Sequence, residues 1–209
     1  MTATKQVELW RSEFGADYAE RGNNRITGDG QRRLMRDWGK MLAHAVTPAP
    51  QTALEVGCNI GRNLLALRHF VPEVHGVEPN AKACAIARGN PELADVRIGE
   101  GDGFALPYGD AAIDLVFTSG VLIHVDPEDL GRMVDEIVRV ARRYVLCIEY
   151  FSHEPQAIEY HGMNGFLFKR DFGRFYLERH PGLRVLDYGF LWQVLDSSDN
   201  CNWWLFAKD

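Results

Sequence analysis

A chain of 209 residues, 46% apolar and 25% charged, can bury one sizeable core and fits a single domain. Its formal net charge of -6 argues against a basic footprint for nucleic acid or anionic lipid, and no apolar run approaches the length of a membrane span. Four dispersed cysteines (Cys58, Cys84, Cys147 and Cys201) without a C-x-x-C pair read as reduced thiols of a cytoplasmic protein with no zinc site.

The N-terminal stretch M-T-A-T-K-Q-V-E-L-W lacks the apolar core of a signal peptide. Residues 5–21 are predicted as one helix, with Val7, Leu9, Trp10, Phe14 and Tyr18 forming an apolar and aromatic stripe. Gly22–Gly30 reads as a polar loop. A second helix is expected over about Gln31–Val46, with Leu34, Met35, Trp38, Met41 and Leu42 at helical spacing, and T-P-A-P ends it. Residues 1–50 are too few to hold a core alone, so they read as a helical cap on the body that follows.

The body alternates. Strands are predicted at Ala53–Val56, Glu73–Glu78, Val96–Gly99, Ile113–Thr118 and Tyr144–Tyr150, with helices at Arg62–Phe70, Ala81–Arg88 and Pro127–Ala141. A helix at Lys169–Arg179 and strands at Leu183–Phe190 and Trp203–Ala207 close the chain. Strands alternating with helices imply a mostly parallel sheet covered on both faces. The last two strands have no helix between them, so they are expected to pair antiparallel, with the antiparallel strand at one edge.

Four features fall at the carboxyl ends of successive strands, where open α/β sheets bind ligands. In E-V-G-C-N-I-G (Glu55–Gly61), Gly57 and Gly61 permit a tight turn against a ligand, and the helix that follows presents free N–H groups. In G-V-E-P-N, Glu78 can accept both hydrogen bonds of a ribose diol, with Pro79 beside it. In G-D-G-F-A-L-P, Asp102 can accept from an exocyclic adenine amine and the Gly103 N–H can bond a ring nitrogen, with Phe104 adjacent. In D-L-V-F-T-S-G-V-L-I-H-V, Thr118–Val121 (Thr118, Ser119, Gly120 and Val121) would form a pocket floor, with His124 near its mouth. Singly, each could be a turn or a surface acid; their order along the chain is harder to explain that way.

On these motifs the chain resembles class I S-adenosylmethionine-dependent methyltransferases from about Gln51 onward. L-E-V-G-C-N-I-G is similar to the family's first motif, with Asn59 where glycine is often found. G-D-G-F-A-L-P-Y-G-D-A-A-I-D-L-V-F resembles the adenine-side motif and next strand, and V-L-I-H-V the fourth motif of small-molecule members. The resemblance implies a Rossmann-like three-layer sandwich with a seven-stranded, mostly parallel sheet and an antiparallel last strand. It also implies S-adenosyl-L-methionine as cofactor, S-adenosyl-L-homocysteine as product, and Cys58 and Asn59 among the cofactor contacts. Asn tolerates left-handed backbone angles better than other non-glycine residues, so the turn can survive at Asn59. A narrower resemblance, to methyltransferases associated with pseudaminic acid biosynthesis, lies in E-F-G-A-D-Y-A-E-R-G-N (Glu13–Asn23), E-Y-F-S-H-E-P-Q-A-I-E-Y-H-G (Glu149–Gly162), L-F-K-R-D-F-G-R and L-D-Y-G-F-L-W.

Methyl transfer asks the protein to align an acceptor with an already activated methyl group and to exclude water. A general base helps when the acceptor is a hydroxyl or a protonated amine. His124 is the first choice as base or orienting group, against the alternative of a satisfied structural histidine. Tyr160 and His161 lie in a substrate insert, about 151–168, where packed loop residues are the other reading; Tyr150 and His153 are further candidates. Trp10, Phe14 and Tyr18 are expected to close over the cofactor or simply to pack on the body, and Arg21 to pair with a methionyl carboxylate. Lys169–Arg170–Asp171 reads either as a site for an acidic sugar or as the solvated start of a helix. The expected partner is a small-molecule acceptor, not nucleic acid or membrane, and the expected state is monomer or homodimer. An NAD-dependent enzyme, a catalytically silent cofactor-binding protein and a nucleic-acid methyltransferase are the competing readings.

Overall fold

A computed structural model describes residues 3–21, 28–45, 47–196 and 199–208. Its centre is a seven-stranded sheet in the order β3-β2-β1-β4-β5-β9-β8. The strands are β1 (Thr52–Val56), β2 (Glu73–Glu78), β3 (Arg97–Glu100), β4 (Ile113–Ser119), β5 (Ala141–Glu149), β8 (Leu183–Leu191) and β9 (Cys201–Lys208). Strands β1 to β5 pair in parallel, and β9 runs antiparallel to both β5 and β8. The reversed last strand is therefore present, but it lies inside the sheet and β8 forms the edge. β9 follows β8 directly in the order of elements and pairs antiparallel with it, as neighbouring strands without a crossover helix do, so the final strand fills the place between β8 and β5.

Both faces of this sheet are covered, as its continuous apolar strands require. On one face Trp38, Leu64, Leu67, Phe117 and Leu205 belong to a buried cluster; on the other Val116, Val134, Ile137, Tyr176 and Phe206 do. Helices α4 (Arg62–Leu67), α5 (Ala81–Arg88), α6 (Leu130–Val140) and α7 (Phe172–Arg179) connect the strands. Trp38 and Phe117 are both fully buried and meet edge to face at 4.8 Å. Trp38 comes from α3 (Asp29–Leu42), which supplies the N-terminal contribution to this core.

Three further expectations need correction. The predicted helix over 5–21 is two helices, α1 (Lys5–Arg11) and α2 (Glu13–Glu20), broken at Ser12. Ser12 adopts extended angles, donates its hydroxyl to the Leu9 carbonyl at 2.7 Å and accepts the Phe14 N–H at 3.2 Å, so it ends one helix and caps the next. The bend is tight: a Cβ on Gly15 would lie 1.9 Å from the Trp10 carbonyl oxygen. The second helix starts two residues early and ends at Leu42. The insert after β5 is a hairpin, β6 (Gln156–Tyr160) and β7 (Met163–Lys169), joined at His161–Gly162 with φ of 50° and 77°. Two consecutive left-handed residues make the tight turn whose twist matches paired strands. The loop expected over Gly22–Gly30 lies outside the described residues at 22–27, and residues 46, 197 and 198 lie outside them too.

Candidate active site

The carboxyl ends of β1, β2 and β4 meet beneath α1 and α2. Leaving β1, the chain turns through Gly57 (φ 77°), Asn59 (φ 47°) and Gly61 (φ 81°) before α4 begins. Asn59 is thus left-handed, as its residue type permits. The Gly57 and Cys58 N–H groups both donate to the Val77 carbonyl, at 2.7 and 3.1 Å. A Cβ at Gly57 would come 2.6 Å from a methyl group of Val121, so glycine is needed there for both angle and space.

Glu78, 6% exposed at the end of β2, ties this turn to the next. One carboxylate oxygen accepts the Asn59 N–H at 2.8 Å and the other the Asn80 N–H at 2.9 Å. Each oxygen keeps a further lone pair for a ligand hydroxyl. Burial raises its pKa against these two bonds. Asn80 caps α5 and donates to the Trp10 and Ser12 carbonyls at 2.8 and 3.2 Å, which fixes the α1–α2 bend over the site. Asp102 accepts the Phe104 N–H at 3.1 Å and pairs with Arg11 at 3.0 Å.

Two cavities open here. A smaller one of about 150 Å³ is walled by Trp10, Glu78, Pro79, Asp102, Gly103, Phe104, Val121 and Met133. A larger one of about 640 Å³ is walled by Glu55, Cys58, Arg62, Asn63, Tyr150, Tyr160 and Asp199. Tyr18, Gly57, Asn59, Ser119, Gly120 and His124 line both, so they are two arms of one cleft. The volume of the larger arm suits a small molecule.

Glu55 lies at the base of the larger arm, 2% exposed. Its Oε1 accepts the Asn63 side-chain N–H at 2.6 Å, while its buried Oε2 has no partner among the described residues. Burial pushes its pKa up to about 8, against the Asn63 bond and with help from the Glu78 charge. A buried carboxyl with one vacant oxygen is suited to an ammonium group. The same arm holds Arg62, whose pKa burial lowers, and the Tyr150 hydroxyl, which donates to Asp199 at 2.7 Å.

At the junction of the arms His124 ends a 3-10 turn, Leu122–His124. Its Nδ1 lies 2.6 Å from the Phe166 carbonyl of β7. A carbonyl only accepts, so Nδ1 carries the proton and Nε2 keeps its lone pair. Burial pushes the pKa down to about 4, which makes this a neutral imidazole at ordinary pH. Rings surround it: Trp10 at 5.0 Å and Tyr160 at 4.8 Å. Burial pushes the Tyr160 phenol up to about 12.

The remaining expected residues lie as follows. Cys58, Ser119 and Gly120 line the cleft, whereas Thr118 is buried below it and Gly61 faces Leu93. His161 sits in the hairpin turn, exposed, and accepts from Arg21 at 3.3 Å. Arg21 lies 5.2 Å from the Tyr18 ring centroid; neither it nor His161 is among the lining residues. His153 is exposed beside Glu154. Asp171 caps α7 by accepting the Arg174 N–H, and Lys169 and Arg170 lie over the Tyr150 and Phe175 rings, so the structural reading of that cluster fits. Sequence reasoning passed over Arg62, Asn63 and Asp199 as site residues, and Glu149 beneath the His124 turn. An acid closing the apolar run of β5 was the available signal for Glu149.

Residues 54–148 match the family model described as "Methyltransferase domain". That span runs from β1 into β5 and carries Glu55, Glu78, Asp102 and His124. An uncharacterized methyltransferase of Mycobacterium sp. (strain JLS) is 28% identical over 77% of this chain and 63% of its own length. Ajmaline N-methyltransferase of Rauvolfia serpentina is 27% identical over 66% of this chain. The chain spans 63% and 51% of the length of these two relatives. Among solved structures, magnesium protoporphyrin IX methyltransferase from Synechocystis PCC 6803 with bound SAM superposes over all of both chains with a TM-score of 0.71 at 15% identity. The Burkholderia thailandensis 1,6-didemethyltoxoflavin-N1-methyltransferase, bound to its substrate and S-adenosylhomocysteine, gives 0.68 at 16% identity over 100% of this chain and 92% of that one. The sheet described above is the Rossmann-like methyltransferase fold.

Proposed function

We propose that the protein is an S-adenosylmethionine-dependent methyltransferase acting on an oxygen or nitrogen of a small molecule. The observation that carries this is the pairing, at one cleft, of Glu78 and Asp102 beside the smaller arm with the vacant oxygen of Glu55 in the larger. A diol, an exocyclic amine and an ammonium group are what these three carboxyls are placed to accept, and S-adenosylmethionine carries all three. No helix among the described residues is long and apolar enough to cross a membrane, and no cluster there could hold a metal ion.

The cofactor supplies a methyl group already activated on a sulfonium. Gly57 and Asn59 shape the turn against it, and Glu78, Asp102 and Gly103 hold its adenosine end. Trp10 and Tyr18 cover the cleft and exclude water. The acceptor occupies the larger arm beside Tyr150 and Tyr160. Neutral His124 orients the acceptor through Nε2 and takes its proton as the new bond forms. The resemblance to methylases of pseudaminic acid biosynthesis supports a sugar or sugar-acid acceptor, and the hydroxyls of Tyr18, Tyr150 and Tyr160 suit a polyhydroxylated one. The reading includes a single catalytic domain under a cap of residues 1–50, in the cytoplasm, as monomer or homodimer. Methyl incorporation from labelled S-adenosylmethionine into an unbiased metabolite extract tests it: one labelled small product is expected, and labelling of nucleic acid alone would overturn it.

A further inference from the structure

We propose that Glu149 is a positioning residue whose carboxylate fixes the backbone of Val121–Ile123 and, through it, the imidazole of His124. Glu149 is the last residue of β5 and is fully buried. One of its oxygens accepts the N–H groups of Val121 and Leu122 at 3.1 and 3.0 Å, and the other accepts that of Ile123 at 3.3 Å. These are consecutive amides at the start of a 3-10 turn, where no backbone acceptor is available. A carboxylate is placed there against the cost of desolvation, and three N–H donors offset that cost.

The turn it holds serves both arms of the cleft. Val121 and Val125 wall the smaller arm, and Val121 packs on Gly57 of the first turn. His124 follows directly, and its ring Nδ1 lies against the Phe166 carbonyl. Glu149 itself lines neither arm, so its effect passes through these residues. The polar side chains around it are the Thr118 hydroxyl from β4, the Cys147 thiol from its own strand and the Tyr176 phenol from α7; burial pushes the thiol and phenol up, leaving both uncharged near neutrality. Burial holds Glu149 itself up to about 7 against its hydrogen bonds. Protonation below that point weakens the three N–H bonds and loosens the turn.

The importance of this for catalysis rests on the reading of His124 given above; the placement of the ring does not. The test is NMR of the His124 ring nitrogens at pH 8, where Glu149 is ionised in the wild type, in the wild type and in Glu149→Gln, with amide exchange followed in both. Glu149→Gln keeps the shape and loses the charge. The wild-type ring is expected to show the tautomer protonated at Nδ1, and the variant ring a mixture of the two tautomers. Exchange of the Val121, Leu122 and Ile123 amides is expected to rise at least tenfold in the variant, with the β4 amides unchanged. Ring nitrogens with the same chemical shifts in both proteins would overturn the proposal. The wild type alone gives a second check that does not depend on the variant folding. Protection of those three amides, corrected for intrinsic rate, should fall several-fold between pH 8 and pH 6, and constant protection would also overturn it. Loss of transfer in His124→Ala is a separate measurement, so its failure would count against the role of His124 and not against that of Glu149.

Discussion

The Phe166 carbonyl and His124 Nδ1 lie 2.6 Å apart, and this contact leaves the Nε2 lone pair unprotonated. It joins the β6–β7 hairpin to the turn after β4, so the insert that walls the larger arm through Tyr160 and Leu167 also sets the tautomer of the proposed base. His124→Ala should lower kcat about a hundredfold or more, the usual cost of removing a positioned base, with S-adenosylhomocysteine affinity changed only a few-fold. Initial rates beside calorimetry check both. Because the ring stays neutral above about 4, no fall in rate near neutral pH should trace to it.

Glu78 and Asp102 should matter unequally. Asp102 to Ala removes one proposed ligand contact and an ion pair with Arg11 that is partly exposed and contributes little to stability. Glu78→Ala also strips the acceptor from the Asn59 and Asn80 N–H groups. Both should weaken S-adenosylhomocysteine about tenfold or more, and only Glu78→Ala should also lower the melting temperature. Calorimetry and thermal denaturation of the two variants separate these outcomes.

Glu55 makes stability fall as pH rises. Its folded pKa is raised to about 8 from an ordinary 4.5, so between these values the folded state holds a proton that the unfolded state has released. Its contribution is complete below about 4.5 and is lost on rising toward 8. Glu55→Gln should flatten the decline in melting temperature between pH 5 and pH 8, read by denaturation in a pH series without cofactor.

Phe117 tests the core alone. It is fully buried in the central strand β4 and packs against Trp38, and it lines neither arm of the cleft. Phe117→Ala should cost about 3–5 kcal/mol of unfolding free energy, measured by denaturant titration.

The central strands were legible because their pattern is local. β2 and α5 fall at the expected residues, and β1 and β4 within one, since apolar runs and the caps beside them sit within a few residues. The break at Ser12 was hidden because Trp10, Phe14 and Tyr18 continue at helical spacing across it; the bend is imposed by Asn80, about seventy positions away. The β6–β7 hairpin was hidden because its residues are mostly half-exposed and its partner is the distant His124 turn. The positions of Glu55, Glu78 and Asp102 along the cleft were readable from their places at or just after strand ends. Glu149 was not, because its role depends on three amides that only the folded chain brings to it.

Calorimetric titration of the purified protein with S-adenosylhomocysteine tests the central claim most directly. One molecule bound per chain, at micromolar affinity or better and weakened by Glu78→Ala, is the predicted result. Absence of binding, or binding of NAD in its place, would contradict it.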